Sequence, residues 1–279
     1  MIAGIVIGIV LILLAAALYL EIYFYEGVHL SPRIQGWLYD RWAASYDQEK
    51  AESQRHDQEF LVRPLLTRLA QLEGGVPAPL VLDLATGTGR LPLALLQAPE
   101  FKGHIIGLDI SRGMLAQAAE KLEAHADRVT LLRHQKVSLP FPDDTFDVVA
   151  CLEALEVMPD MEGPLRELAR VLRPGGLLLT SRGRESSGRI GQVRSAEAFS
   201  ALLQETGFEG VEIIDWWKTF DRVWARKPGR FQPQGPRTLA DVLCCPECGR
   251  IAWETGTSRF RCPACRAELP ISEEGIVLG

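Results

Sequence analysis

The stretch Val81-Leu82-Asp83-Leu84-Ala85-Thr86-Gly87-Thr88-Gly89-Arg90-Leu91 decides how this chain folds. It reads as a short apolar strand that ends in an acid, then a glycine-bearing turn, then the start of a helix. Gly87 and Gly89 reach backbone angles closed to other residues and let a ligand lie against the main chain. Asp83 falls where a buried strand opens into a loop, a costly place for a carboxylate without a partner. The pattern suits a nucleotide-like ligand that carries a positive charge.

Working outward, strands and helices alternate. Strand 80–84 leads into a helix around 91–97, and Pro92 is tolerated in its first turn, where backbone N–H groups have no helical partner. His104–Asp109 is a second strand, again ending in an acid, after which Ser111 caps a helix to about His125. Val129–Leu132 and Phe146–Cys151 are the third and fourth strands. A helix at Met161–Leu172 stops at Arg173-Pro174-Gly175-Gly176 before the strand Leu177–Ser181. Ala196–Thr206 is helical and Gly207 ends it. Val211–Ile214 and Arg222–Ala225 close the unit. Such a succession predicts an α/β, Rossmann-like fold, with a mostly parallel sheet and helices on both faces. Ligands of these sheets sit beyond the carboxyl ends of the strands, where Asp83, Asp109 and the glycines fall.

A dinucleotide fingerprint needs a third glycine where this chain has Pro92, and the lysine and hydroxyl of a P-loop are absent. Asp109 lies twenty residues past Gly89, the spacing of an acid that binds ribose hydroxyls. Here the residues resemble a family. Asp83-Leu84-Ala85-Thr86-Gly87-Thr88-Gly89 is similar to motif I of class I S-adenosylmethionine-dependent methyltransferases. Leu139-Pro140-Phe141-Pro142-Asp143-Asp144-Thr145-Phe146-Asp147 resembles the approach to strand four, and Leu172-Arg173-Pro174-Gly175-Gly176 the turn before strand five. Phe208–Pro228 resembles the last strands. The resemblance covers about residues 36–228 and is closest to the small-molecule branch that includes quinone-biosynthesis C-methyltransferases.

That resemblance implies a cofactor set of Asp83, Ala85, Thr86, Gly87, Gly89, Asp109, Ile110, Gln135 and Tyr46. Asp83 and the Gly87–Gly89 backbone would hold the methionine portion of S-adenosyl-L-methionine, Asp109 the ribose hydroxyls, and Tyr46 would cover the methionine end. Where the family often has an acid at the adenine amino group this chain has Gln135, whose carbonyl also accepts a hydrogen bond. Methyl transfer from a sulfonium loses charge in the transition state, so positioning and desolvation supply acceleration without a catalytic acid. No catalytic residue is assigned. Glu153 and Glu156 fall where the acceptor often lies, but solvated helix residues are the reading favoured for both. His134 is the best-placed histidine for a base, and surface histidine is the favoured reading for it too.

Upstream, Ile2–Leu20 carries no charge. Nineteen residues at about 1.5 Å each span roughly 28 Å, near the thickness of a bilayer's hydrocarbon. Tyr19, Tyr23, Phe24 and Tyr25 stand where an interfacial aromatic belt belongs. A cleaved signal peptide competes but lacks a basic start. A buried core helix would need protein on every side. Residues 1–22 are therefore expected to be a single-pass anchor. Arg33 and Arg41 follow it and no basic residue precedes it, which places the body in the cytoplasm. Residues 23–58 read as juxtamembrane helices, with Trp37, Tyr39, Trp42 and Tyr46 either packing onto the next domain or forming a lid. The methyltransferase domain is set at 59–228, a Pro- and Gly-rich linker at 229–238, and a last module at 239–279.

Five of the six cysteines lie in the last 36 residues. Cys245-x2-Cys248 and Cys262-x2-Cys265, thirteen residues apart, have the spacing of a closed structural zinc site, with Cys244 a spare; two redox pairs are the alternative. A module this small needs such a staple. With Leu243-Cys244-Cys245-Pro246 before it and Gly275-Ile276-Val277-Leu278 after, it resembles the small zinc-ribbon family whose eukaryotic member activates tRNA, rRNA and release-factor methyltransferases. That implies support of the catalytic domain in cis; an independent ribbon binding protein or RNA is the other reading.

A net charge of −6 argues against a general nucleic-acid binder. Between Lys218 and Arg266, however, ten basic residues face four acidic ones. Three functions follow: a membrane-tethered methyltransferase for a small lipophilic acceptor, an RNA or protein methyltransferase, and a scaffold that keeps the fold without the chemistry. The absence of an Asn-Pro-Pro-Tyr-like motif after strand four, where Cys151-Leu152-Glu153-Ala154 stands, counts against the second.

Overall fold

Side chains along each central strand alternate between two separate apolar cores, the arrangement a sheet covered on both faces requires. The computed structural model describes residues 2–23, 25–187 and 192–279; Phe24 of the expected aromatic belt lies outside the described residues. Among the described residues, seven strands form the main sheet, which an eighth joins below: β1 (Leu80–Leu84), β2 (His104–Asp109), β3 (Val129–Arg133), β4 (Phe146–Cys151), β5 (Leu172–Gly183), β6 (Glu209–Trp217) and β7 (Phe220–Arg226). Leu82, Ile106, Val149, Leu178 and Val223 enter one core, whereas Val81, Ile105, Val148, Leu177 and Trp224 enter the other. Helices α3 (Arg63–Ala70), α4 (Arg90–Leu96) and α5 (Arg112–Leu122) cover the second face. Helices α6 (Glu162–Val171) and α7 (Ala196–Glu205) cover part of the first.

β1 lies at the centre, parallel to β2 and β4, with Leu82 opposite Ile106 and Val149. β7 pairs antiparallel to both β5 and β6, so the sheet is mixed at that edge. The fifth strand starts five residues earlier than expected. Register with β4 jumps from Phe146–Leu172 to Val148–Leu177, and Arg173–Gly176 form the bulge between. Gly175 sits there at φ 74°, where a Cβ would lie 2.6 Å from the Phe231 amide.

One crossover lacks a helix. Residues 134–145 run from β3 to β4 as loop, and the C-terminal module covers that part of the first face. Leu239, Val242, Leu243, Phe260 and Leu269 belong to the same core as Leu132, Leu139, Phe141 and Phe146. The module contributes a three-stranded sheet, β8 (Glu254–Thr255), β9 (Arg259–Arg261) and β10 (Glu268–Pro270), and a final strand, β11 (Val277–Leu278). β11 joins the catalytic sheet beside β3, Val277 opposite Leu132, giving the order β11-β3-β2-β1-β4-β5-β7-β6. This strand addition and shared core were not anticipated from the sequence.

The Pro- and Gly-rich segment 229–238 packs rather than hanging free. Phe231 is buried, and Arg237 donates to the Thr145 carbonyl at 2.6 Å and approaches the Asp147 carboxylate at 3.5 Å. Asp147 is buried and also accepts from the Leu80 amide (2.8 Å) and Arg173 (3.0 Å). Burial raises its pKa; Leu80, Arg173 and Arg237 oppose that.

At the other end, α1 (Ile2–Tyr23) stands away from the body, and its segment Ile5–Tyr23 is long and apolar enough to cross a bilayer. α2 (Pro32–Gln54) follows, capped by Ser31, and lies across α5.

Removing the charge of Asp147 leaves Arg173 and Arg237 buried without a counterion. Asp147→Asn is expected to lower stability by about 3 kcal/mol in denaturant titration. Glu73→Gln, which breaks the exposed pair with Arg230, is expected to leave the midpoint unchanged.

Candidate functional site

The turn after β1 is shaped by three residues with positive φ: Ala85 (57°), Gly87 (55°) and Gly89 (79°). Ala85 is the only one of the three with a Cβ, and the left-handed conformation costs it roughly 1–2 kcal/mol. Gly89 also allows close packing, since a Cβ there would meet Leu122 at 3.0 Å and Ala118 at 3.1 Å on α5. Above this turn lies an open cleft, lined by Asp83, Ala85, Thr86, Gly87, Thr88 and Arg90 from the β1–α4 region. Tyr46, Lys50 and Gln54 line it from α2, and Leu152 and Glu153 from the end of β4.

Asp83 is buried and accepts from the Thr86 hydroxyl at 2.6 Å. Among the described residues it has no ion pair. Burial pushes its pKa up to about 7, Thr86 opposing and the charge of Asp109 adding to the rise. Asp109 holds the turn in shape: its two oxygens accept from the Gly87 and Ser111 amides, each at 2.8 Å. Burial raises it to about 6 against those amides. Among the described residues neither carboxylate has an ion pair, although the Arg90 charge acts on Asp83 from the same cleft.

α2 roofs the site. Gly36 passes over the Ile110 carbonyl, where a Cβ would come within 3.4 Å. Asp40 accepts from the Ser111 hydroxyl (2.6 Å) and the Gly113 amide (2.7 Å) at the start of α5. Asp47 accepts from Thr88 (2.5 Å) and pairs with Lys121 (2.7 Å). Of the four aromatic residues, Tyr46 lines the cavity and burial holds its phenol above the ordinary range. Trp37 faces outward instead, 54 % exposed.

The reading of Glu153 and Glu156 as solvated helix residues is corrected by the structure. Glu153 stands at φ 52° with its side chain 8 % exposed, paired with Arg90 (2.7 Å) and Lys50 (3.2 Å). Burial raises its pKa, but Lys50 and Arg90 outweigh that and leave it below the ordinary value. Glu156 is buried as well. Arg90 in turn holds Asp57 with two bonds of 2.7 Å. Asp47, Lys50, Gln54 and Arg90 were missed as site residues; their helical spacing on α2 and Arg90's place in the opening stretch were the available signals.

Tyr46, Asp83, Ala85, Thr86 and Gly87 meet at the cavity. Asp109 reaches it through Gly87, Ile110 lies under α2, and Gly89 serves the α4–α5 packing. Gln135 is exposed in the loop after β3 and does not line the cavity. His134 is half-buried and bonded to the Ser138 carbonyl.

The four thiols of Cys245, Cys248, Cys262 and Cys265 lie within 4.8 Å of one another, with Cys245–Cys265 at 3.4 Å and Cys248–Cys262 at 3.7 Å. A zinc ion with four sulfurs at about 2.3 Å has sulfur–sulfur edges of about 3.8 Å, so the set fits that ion. Cys244 lies outside the group, its amide bonded to the Pro140 carbonyl.

Comparison with known proteins agrees with this architecture. Residues 81–176 match the family model of a methyltransferase domain. Demethylmenaquinone methyltransferases of Bacillus licheniformis and Lactiplantibacillus plantarum are 42% identical over 95 residues and 44% over 101. These matches take in 34% and 36% of this chain, and the chain spans 40% and 43% of those relatives' length. A Methanococcus maripaludis chain described as an S-adenosyl-L-methionine-dependent methyltransferase superposes with a TM-score of 0.56 at 19% identity, over 69% of this chain and 94% of that one. A chain from the complex of the Haloferax volcanii Trm112 methyltransferase activator with its methyltransferase partner gives 0.53 at 23%, over 68% and 98%. The fold is thus the Rossmann-like methyltransferase fold, and the chain carries a methyltransferase domain. The [4+2]-cyclase SpnF shares the fold at a TM-score of 0.50 and 23% identity, over 59% of this chain and 80% of its own, so the activity must be argued from the site.

The buried acids set a pH dependence. From about pH 4 to 7 the unfolded chain gives up the Asp83 proton while the folded chain keeps it, so stability falls as pH rises through that window. Moving Asp83 from its ordinary 3.8 to about 7 costs on the order of 4 kcal/mol above pH 7. Asp83→Asn is therefore expected to raise the ligand-free protein's stability by about 2–4 kcal/mol at pH 8, with the gain vanishing near pH 4 in paired denaturant titrations.

Proposed function

We propose that this chain is a membrane-anchored, S-adenosyl-L-methionine-dependent methyltransferase that acts on a small lipophilic acceptor of the quinone-derived class. The observation that carries this reading is the Asp83 carboxylate, buried and, among the described residues, without an ion pair, at the cleft between the β1–α4 turn and α2. A ligand's ammonium group would complete that pair. Asp83, the Ala85–Gly87 backbone and Tyr46 would hold the methionine portion, and Asp109 the ribose. The names of the demethylmenaquinone methyltransferases support the acceptor class.

Bound there, S-adenosyl-L-methionine supplies an electrophilic methyl group on a sulfonium. The chain's own part is to orient and to exclude water. Tyr46 and α2 close the cavity, and Leu152 gives it an apolar wall. Glu153, kept ionised by Lys50 and Arg90, would accept a hydrogen bond from an acceptor hydroxyl. A ring carbon becomes nucleophilic when the quinone is reduced to its hydroxyl form, the form such a carboxylate recognises. The apolar span α1 would keep the pocket beside the lipid phase in which that acceptor dissolves.

The basic tail supports RNA binding poorly, because much of its charge is already engaged. Lys227 pairs with Asp144, Arg230 with Glu73, Arg237 with Asp147 and Arg259 with Glu268. The zinc-ribbon module would act in cis by covering the helix-free crossover. The Haloferax volcanii neighbour, a complex of a methyltransferase with a separate activator, is in line with that role.

Native membrane extract incubated with methyl-labelled cofactor and the full chain is expected to show label in the lipid fraction, at least tenfold above an Asp109→Ala control. Label in RNA or protein alone would overturn the acceptor class. Cys262→Ser or strong chelation is expected to lower the melting temperature of the whole chain by more than about 5 °C. A transition confined to the last forty residues is the contrary result.

A further inference from the structure

The outward face of α2 is the surface that the site does not use. Arg33, Ile34, Trp37 and Arg41 lie at helical positions i, i+1, i+4 and i+8, within an arc of about 100°. All four are exposed, Ile34 by 47% and Trp37 by 54%. Among the described residues neither arginine has a carboxylate partner. Arg41 instead stacks over the Trp37 ring at 5.2 Å. The opposite face is fully engaged: Gly36 on Ile110, Asp47 on Thr88 and Lys121, Lys50 on Glu153.

The start of α2 is also tied to the end of α1. Glu21 accepts from the His29 amide and pairs with its ring, each at 2.9 Å. The Gly27 amide donates to the Glu21 carbonyl at 2.9 Å. Val28 is buried, Gly27 passes the Leu38 side chain, and Tyr39 donates to the Glu26 carboxylate at 2.7 Å. A short, hydrogen-bonded connection therefore fixes where α2 begins relative to the last turn of the apolar span.

We propose that the Arg33–Ile34–Trp37–Arg41 face of α2 rests on the headgroup layer of an anionic phospholipid bilayer. The inference deepens the anchored reading given above and rests on it for the position of α1. Two unpaired arginines complement a negative lipid surface, Trp37 has the amphipathic ring favoured at that depth, and Ile34 enters the acyl boundary. The roof of the cavity is then held at the bilayer surface, and a lipophilic acceptor reaches the pocket along the edge of α2 without crossing water.

The full chain, reconstituted in phosphatidylcholine liposomes with and without phosphatidylglycerol, carries its own probe. Lipids brominated near the headgroup quench only tryptophan at that depth. Five other tryptophans form a background common to wild type and Trp37→Phe. Wild type is expected to be quenched more than Trp37→Phe, with the gap widening when phosphatidylglycerol is present. Arg33→Gln/Arg41→Gln is expected to reduce that gap at least twofold in the anionic liposomes. Equal quenching of wild type and Trp37→Phe in both lipids overturns the proposal.

Alkaline carbonate extraction separates the two readings. A chain that stays in the membrane but shows no Trp37 gap keeps the anchor and loses the α2 contact. A chain released by carbonate loses the anchor, and the same gap, read on added phosphatidylglycerol vesicles, then decides the α2 contact by itself.

Discussion

A carboxylate taken out of water with no ion pair among the described residues is costly, and the architecture around Asp83 bears that cost. The side chain is fixed by Thr86 and sits at the end of the central strand, with Asp109 raising its pKa further. Asp109 spans the turn through the Gly87 and Ser111 amides, so the two acids cannot move apart without breaking the loop. Ala85 adds backbone strain at the same point. Two apolar cores, one on each side of β1, supply the burial that offsets this local instability. A cationic ligand relieves it directly, which is why the least stable part of the domain is also its best candidate site.

The missing helix between β3 and β4 explains the placement of the C-terminal cysteine-bearing module better than its sequence position does. A parallel sheet left bare over Leu132, Leu139 and Phe146 would expose a contiguous apolar patch. The module fills that place with Leu239, Val242, Leu243 and Phe260, and β11 pairs with the strand edge that β3 would otherwise leave open. Its four cysteine thiols gather within 4.8 Å of one another in a module too small to stand on its own core. Gly279 donates to the Arg133 carbonyl, immediately before the loop that carries Gln135. The module therefore ends beside the β3–β4 loop and does not line the cleft.

What the sequence discloses, it discloses through period and local chemistry. The runs 80–84, 104–109 and 146–151 are apolar on both faces, so their burial follows whatever their neighbours are. Ser111 caps α5 as its residue type requires, and the Cys-x2-Cys spacing brings the four thiols together. Glu153 was misread for the opposite reason. Whether an acid is buried depends on its partners, and these come from Lys50 and Arg90, 103 and 63 positions away. The docking of β11 was illegible because two residues carry no period. Segment 229–238 has the composition of a linker, yet Arg237 and Phe231 find partners whose positions only the fold determines.

The roof and the floor of the site are joined by polar contacts, beside the buried Leu38 and Ala43 of α2. Thr88 to Asp47, Lys121 to Asp47 and Lys50 to Glu153 are the seam between α2 and the rest. Lys50, Lys121 and Asp47 keep about a quarter to a third of their side-chain surface in water, so each loses little when its partner is replaced by solvent. An apolar seam of equal area would resist opening, because separation would expose surface that water does not satisfy. The Lys121–Asp47 pair on the inner face of α2 is therefore one that hydration replaces at little cost. The tight bonds around Asp40 and Glu21 hold the helix at its first turns.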